Sequence, residues 1–295
     1  MESNYVNNQQ DMILKERRAN NAWNKLKRNK TALAGLVVVV IMIFIAVFPS
    51  VIAKYDPNKM DLALVFLKPG SPGHILGTDE FGRDLLTRII YGARVSIVVA
   101  IGGMAVGGGI GLLLGLIAGF KGGIADTIIM RVMDGMFAFP FILLALLLMT
   151  VLGSGIQNVI LAIGIANVPG FARVARGQVH IVKNEEYIQS IRALGSSDGR
   201  LLFKHILPNC ISPIIVYATL NVAGAIISEA SLSFLGLGIQ PPTASWGNIL
   251  RAGKDTLSTA PYIASFSGIA IIITVLGFNL FGDGIRDVLD PKMKR

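Results

Sequence analysis

Residues 184–209 read NEEYIQSIRALGSSDGRLLFKHILPN, a charged stretch that lies between two long runs without charge. Upstream, residues 135–172 contain no Asp, Glu, Lys or Arg, and downstream residues 205–228 contain none either. Uncharged runs of this length are typical of membrane-spanning helices. The charged stretch is therefore predicted to be a solvated loop between two spans.

The composition of the whole chain supports a membrane protein. Of its 295 residues, 53% are hydrophobic and 15% are charged, and the mean hydropathy is +0.62. Soluble domains carry about 25% charged residues. The single cysteine, Cys210, excludes an internal disulfide. We predict an all-α protein that crosses the membrane several times.

Uncharged runs give six predicted transmembrane helices. Residues 31–53 form about 34 Å of helix, enough to cross a hydrocarbon core of ~30 Å. Turn-forming residues at 153–158 divide the run 135–172 into two spans. The six predicted spans occupy residues 31–53, 95–120, the two halves of 135–172, 205–228 and 256–282.

One further uncharged run, residues 230–250, does not fit a span. Gly236, Gly238, Pro241 and Pro242 would interrupt a helix there and leave backbone groups unsatisfied in lipid. We predict a loop that dips back toward the outer mouth of the protein.

The distribution of Lys and Arg predicts the orientation. With both termini in the cytoplasm, 19 of the 27 Lys and Arg residues fall on the cytoplasmic side, as the positive-inside rule requires. The net charge of +9 thus reflects topology and excludes a nucleic-acid partner. The predicted organisation is a cytoplasmic segment 1–30, a first span 31–53, an outer segment 54–93, a core 94–282 with five spans and the cytoplasmic loop 173–208, and a cytoplasmic tail 283–295.

The basic segment before the first span has two interpretations. Residues 22–30, AWNKLKRNK, fit a helix at the membrane surface with Trp23 and Leu26 among the lipid headgroups. They fit an ordinary basic flank of the first span equally well.

Glycines recur every four residues along the second span. Such a stripe lets two helix backbones approach closely in lipid, inside the subunit or across a dimer. A dinucleotide-binding loop is excluded because no soluble strand–turn–helix surrounds these glycines. The predicted packing residues are Gly103, Gly107, Gly111, Gly115 and Gly119.

Ionisable residues near the membrane lie at the ends of spans. Asp126, Arg131, Asp134 and Glu229 either mark a transport pathway or form interfacial caps and ion pairs, and their positions favour the second interpretation. Two acids at helical spacing in mid-span, which a proton-driven carrier would need, do not occur.

The sequence carries no pattern for chemistry of its own. The string 247–255 departs from a nucleotide-binding loop in its spacing, and Asp255 stands where a Ser or Thr is required. The three histidines are scattered and form no metal pattern. We therefore expect no catalytic residue, no metal site and no bound cofactor, so the energy for any work comes from another protein.

The loop at 184–209 reads as two short helices. A turn follows at Gly195, and Ser196, Ser197 or Asp198 begins the second helix. Such an amphipathic helix either enters a groove of a partner protein or lies passively on lipid. The apolar stripe of the first helix is Ile181, Ile188, Ile191 and Leu194.

This loop resembles the cytoplasmic signature loop of permease subunits in ABC importers. Gly195 and Leu207–Pro208 match the family glycine and L-P pair at the correct separation, while residues 189–191 and His205 depart from the pattern. Three longer stretches resemble the second permease of oligopeptide, dipeptide and nickel importers: HILGTDEFGRDLLTRIIYGARVSI (74–97), SEASLSFLGLGIQPPTASWGNIL (228–250) and NLFGDGIRDVLDPK (279–292).

The resemblance implies a six-span type I importer permease with a cytoplasmic coupling helix, in a bacterial cell membrane. It implies a heterodimer with a homologous permease, a peptide substrate, an extracytoplasmic substrate-binding protein, and two cytoplasmic ATPases that hold ATP and Mg²⁺. The loop at 181–208 would contact one ATPase. The contact residues that it implies are Tyr187, Ser190, Arg192, Ala193, Leu194, Gly195, Ser196 and Asp198, with Glu186 and Arg200 as further charge-assisted contacts.

The outer segment also contains candidate site residues. Asp79, Arg83, Asp84 and Trp246 are predicted to face the receptor or to gate the path, although the helix from Leu85 could instead be an elbow that anchors the second span.

Other functions remain as hypotheses. An ion-coupled carrier or channel would move solute without partners, and a scaffold protein would move none. Within the family, nickel or another small solute could replace the peptide.

Overall fold

The computed structural model describes residues 29–289, which form helices joined by turns. We number the helices in chain order: α1 (Lys30–Val47), α2 (Pro49–Ile52), α3 (Leu85–Lys121), α4 (Gly123–Phe137), α5 (Phe141–Leu152), α6 (Ile156–Lys183), α7 (Glu186–Ala193), α8 (Asp198–Arg200), α9 (Leu207–Phe234), α10 (Trp246–Asp255) and α11 (Pro261–Leu289). A 3₁₀ turn covers Leu62–Leu64 and a π-helical segment covers Leu201–Ile206. Residues 22–28 of the predicted surface helix at 22–30 and the end of the tail lie outside the described residues, while Asn29 caps α1 and Lys30 begins it.

The predicted all-α, six-span architecture is confirmed, with one span broken. Helices α1, α3, α6 and α11 and the continuous segment 198–234 are long and apolar enough to cross a membrane. Helices α4 and α5 form a sixth candidate span that bends by 93°. The bend occurs at Pro140, which lacks the backbone N–H that a continuous helix would need there. The third span was predicted within the run beginning at residue 135, but its helical pair begins at Gly123.

The longest helix, α3, joins the outer segment to the second span. It has 37 residues, and the carboxylate of Asp84 caps its first turn by accepting a hydrogen bond from the backbone N–H of Thr87 (2.8 Å). The outer helix was predicted as part of segment 54–93 with a boundary before the span. No break in the backbone marks this boundary, because residues 85–93 continue the same helix.

Helices α3 and α6 pack along the glycine stripe. A Cβ atom on Gly111 would lie 2.5 Å from Cβ of Phe171, and one on Gly107 would lie 2.6 Å from the carbonyl oxygen of Gly164. A Cβ atom on Gly115 would overlap the carbonyl oxygen of Ala172. Gly103 and Gly119 face α6 in the same way. The five glycines therefore form a packing seam inside the subunit.

The apolar run 230–250 is not a single loop. Helix α9 continues to Phe234 and α10 begins at Trp246, so only the connection between them is non-helical. Gly236 adopts a φ of 82°, which ends α9, and the side chain of Ser245 caps α10. The predicted loop is correct for its central residues and wrong for its ends.

Candidate functional site

The charged loop between α6 and α9 has one short free-standing helix. Helix α7 ends before Gly195, whose φ of 82° turns the chain toward α8. The second predicted helix is not separate, because α8, the π-helical segment and α9 run on as one continuous span. A π-helical segment at such a junction is common at functional sites.

Helix α7 packs against the rest of the protein mainly through Ile188. Ile188 is 1% exposed and packs in a cluster with Leu116, Val179, Val182, Leu201, Ile206 and Cys210. The predicted apolar stripe is therefore correct as a packing face only at Ile188 and at the half-buried Ile191, which packs against the same cluster. Ile181 belongs to α6 and Leu194 is 87% exposed, because the chain turns between α6 and α7.

The residues that the resemblance assigned to the ATPase contact lie together on this loop. Nine of the ten are exposed and Ser196 is half-buried. The exposed set comprises Glu186, Tyr187, Ser190, Arg192, Ala193, Leu194, Gly195, Asp198 and Arg200. A helix that leaves most of its side chains exposed is available to a partner protein.

Polar contacts attach the loop and the end of α6 to the C-terminal end of α3. Lys183 Nζ donates a hydrogen bond to the carbonyl oxygen of Gly119 (2.8 Å), and the guanidinium of Arg192 lies 5.6 Å from the ring centre of Phe120. Tyr187 Oη accepts a hydrogen bond from Asn209 (3.1 Å), and partial burial raises the pKa of its hydroxyl. The loop thus contacts both α3 and the start of α9.

Two ion pairs connect α4 to α6 near the same end of the molecule. Arg176 binds both oxygens of Asp126 (2.5 and 2.6 Å), and Arg173 binds Asp134 (2.7 Å). The guanidinium of Arg173 also stacks 4.1 Å from the ring centre of Phe137. The interpretation of these two acids as ion-pair residues is confirmed.

The acidic and basic residues of the outer segment form a buried network. Asp79 accepts hydrogen bonds from Nε of Arg83 (2.7 Å) and from its backbone N–H (2.9 Å). Asp84 pairs with Nδ1 of His74 (2.9 Å). Burial raises the pKa of the neighbouring Glu80 carboxyl. Asp79, Arg83 and Asp84 are at most 6% exposed, so a receptor-facing role does not fit them, and a gating role stays a prediction.

Trp246 fixes the loop that precedes α10. Its indole N–H donates to the carbonyl oxygen of Ile89 (3.0 Å), and its own carbonyl accepts from Ser267 (2.7 Å). The side chain is fully buried against Gly92 of α3. Trp246 therefore joins α3, α10 and α11 and does not face outward.

Glu229 also joins several elements, and its location was predicted wrongly from the sequence. We predicted an interfacial cap, but Glu229 has no exposed surface. Its carboxyl accepts hydrogen bonds from Ser96 of α3 (2.6 Å) and Ser233 of α9 (2.9 Å), and the Ser233 hydroxyl accepts from the backbone N–H of Ile239 (3.1 Å). The signal for this role was the run of serines around Glu229. One carboxyl connects two spans and the outer loop.

Replacing Glu229 with Ala is expected to destabilise the protein by about 2 kcal/mol, since buried serine hydroxyls lose their acceptor. Glu229→Gln keeps the size of the side chain and one acceptor oxygen, so it should lose less stability than Glu229→Ala. Ser231→Ala is the control, because that exposed hydroxyl bonds only its own helix. Thermal unfolding in detergent would measure the order of stability of the three variants. A Glu229→Ala variant as stable as Ser231→Ala would contradict the role of Glu229 in joining the helices.

Comparison with known proteins agrees with this architecture. Residues 111–295 match the family described as "Binding-protein-dependent transport system inner membrane component", and residues 19–69 match "N-terminal TM domain of oligopeptide transport permease C".

Three relatives show the extent of the similarity. The di/tripeptide transport system permease protein DppC of Pseudomonas aeruginosa is 42% identical over 92% of this chain and 91% of its own length. The dipeptide transport system permease protein DppC of Alkalihalophilus pseudofirmus is 45% identical, and the glutathione transport system permease protein GsiD of Pectobacterium atrosepticum is 44% identical, each over 92% of this chain and 90% of the relative. The chain has six candidate spans and is similar to these relatives over 92% of its length. It therefore belongs to the family of inner-membrane permease components of binding-protein-dependent transport systems.

Proposed function

We propose that the chain forms one half of the path of an ATP-driven importer of short peptides in a bacterial cell membrane. The relatives named above are permeases for dipeptides, tripeptides and glutathione, which supports a peptide cargo. A homologous permease would supply the other half of the path as a heterodimer. An extracytoplasmic substrate-binding protein would deliver the peptide at the outer mouth.

Two cytoplasmic ATPases would supply the energy, with ATP and Mg²⁺ bound on them and no cofactor on this chain. The observation that carries this part is the exposed helix α7, in which Ile188 is the one fully buried side chain. An exposed amphipathic helix fits a groove of a partner. Its orientation toward the cytoplasm, with both termini, follows from the bias of Lys and Arg.

Coupling requires that ATP binding favour one state of the spans over another. Movement of α7 would reach α3 through the contact of Arg192 with Phe120, next to the hydrogen bond from Lys183 at the end of α6 to Gly119. Helix α3 then extends to the outer junctions at Glu229 and Trp246. We infer that α3 is the element that carries movement across the membrane.

Reconstitution in liposomes tests this function. With the partner permease, both ATPases and the binding protein present, a labelled dipeptide should accumulate only when ATP and Mg²⁺ are supplied. The chain alone should accumulate none under an imposed proton or sodium gradient. Uptake by the isolated chain would indicate a carrier, and uptake of Ni²⁺ in place of any peptide would contradict the proposed cargo.

A further inference from the structure

An apolar crevice opens beside the outer ends of three spans. Helices α1, α3 and α11 leave between them a cavity of about 270 Å³, lined by twelve side chains that are all apolar. On α11 the lining extends from Phe266 to Ile273, about 10 Å along the helix axis and most of the ~15 Å depth of one leaflet. We call this cavity the outer crevice.

The outer crevice opens toward the lipid side of the protein. Ile269 and Ile273 at its rim are 49% and 47% exposed, while Trp246 at its floor is fully buried. At this depth the surroundings of a span are hydrocarbon, which cannot hydrogen-bond and excludes water. The crevice therefore suits an apolar chain.

A polar mouth adjoins the crevice at the membrane surface. A second cavity of about 130 Å³ shares Leu86 and Ile90 with it and is also lined by Lys54 and Tyr55. Lys54 is exposed, and among residues 29–289 no carboxylate lies within 4.0 Å of its ammonium group.

The carboxylate that lines this second cavity, Asp84, already has hydrogen-bond partners on both oxygens. Asp84 accepts from the backbone N–H of Thr87 through one oxygen and pairs with His74 through the other. The ammonium group of Lys54 lies 5.3 Å from the ring centre of Tyr55 and has no carboxylate partner among residues 29–289, so it can bind an anion.

We propose that the outer crevice and its mouth bind one anionic phospholipid. An acyl chain occupies the apolar part, and the phosphate contacts Lys54 beside Tyr55, an aromatic residue at the depth typical of the interface. The acyl chain packs against Trp246, which holds the outer loop on α3. The lipid therefore braces the loop at the mouth of the path.

Size and charge favour a lipid over a helix of a partner subunit. A helix with its side chains is about 10–12 Å wide, so it would cover a cavity of this volume without entering it. A single acyl chain can enter. The outer crevice ends near the ammonium group of Lys54. Its shape and charge therefore fit a molecule with an apolar chain and an anionic headgroup.

Photolabelling tests the site in the complete transporter. The transporter is reconstituted with phosphatidylglycerol or phosphatidylcholine that carries a diazirine midway along one acyl chain, and adducts are mapped by mass spectrometry. We expect adducts at Ile269 and Ile273, which are 49% and 47% exposed, to exceed those at Val98 and Ile101, which are 48% and 49% exposed on α3 but lie outside the crevice. Equal labelling of both sets would overturn the proposal.

Two matched pairs of variants separate the parts of the site. Ala93→Phe fills the crevice and should abolish the excess of adducts, whereas Ala105→Phe adds the same bulk at an exposed position of α3. Lys54→Ala should lower the preference for phosphatidylglycerol over phosphatidylcholine about fivefold, and Lys59→Ala should leave it unchanged. Lys54 is exposed, so its loss does not threaten folding. An unchanged preference in Lys54→Ala, or cross-links from this crevice to a partner subunit, would refute the lipid site.

Discussion

Gly115→Leu is expected to prevent the protein from accumulating in the membrane as a folded subunit. A Cβ atom at this position overlaps the carbonyl oxygen of Ala172 and lies 2.6 Å from Cβ of Ala175. A backbone oxygen cannot rotate away as a side chain can, so α3 and α6 must separate. Overpacking of this kind costs about 3 kcal/mol or more.

The control for this substitution lies on the same helix. Gly109 has no atom within 4 Å of its added Cβ, so Gly109→Leu should leave folding intact. The corresponding alanine substitutions separate the two positions more clearly, since Ala is favoured over Gly in a helix by roughly 1 kcal/mol. Gly109→Ala should therefore be neutral or stabilising while Gly115→Ala destabilises. Membrane yield and thermal unfolding would measure both pairs; equal behaviour would refute the seam.

Gly195→Val is expected to lower ATP-driven uptake about tenfold while the complex still assembles. Gly195 has a φ of 82°, a conformation that costs an L residue roughly 1–2 kcal/mol, most of all a β-branched one. Nothing lies within 4 Å of its added Cβ, so the effect comes from the backbone alone. The turn between α7 and α8 would relax, and α7 would lose its position for the proposed ATPase contact.

Gly199→Val provides the comparison for that prediction. Gly199 lies in the same loop with the same free space around it, but it has no left-handed φ. Uptake and ATP hydrolysis should be measured separately in proteoliposomes. We expect the complex that carries Gly195→Val to hydrolyse ATP with little uptake. Equal uptake by the two variants would show that the turn does not carry the coupling.

The loop at 184–209 shows where sequence reasoning was sufficient and where it was not. Its charge, its position between uncharged runs and the turn at Gly195 were readable because each depends on local composition. The buried face was misread: four apolar residues at helical spacing suggested a stripe, yet only Ile188 is buried. Which residue of an amphipathic helix meets the core depends on where the chain bends, and the bend between α6 and α7 is a tertiary feature.

The charged residues at span ends show the same limit. Asp126 and Asp134 pair with arginines 50 and 39 positions away, and Glu229 reaches Ser96 across 133 positions. Sequence spacing predicts neighbours on one helix only. A buried carboxyl and an interfacial cap are therefore indistinguishable until the spans are packed.

The sequence by itself determined the class of this protein. Runs without charge indicate spans, because a charged side chain is costly in hydrocarbon. Glycines at every fourth residue indicate a close-packing stripe, because they let helix backbones approach each other. Only the tertiary structure decided that the glycine seam lies within the subunit, that α3 is one helix from Leu85 to Lys121, and that Glu229 and Trp246 join it to the outer loop. These arrangements depend on contacts between residues far apart in the chain, which local composition does not specify.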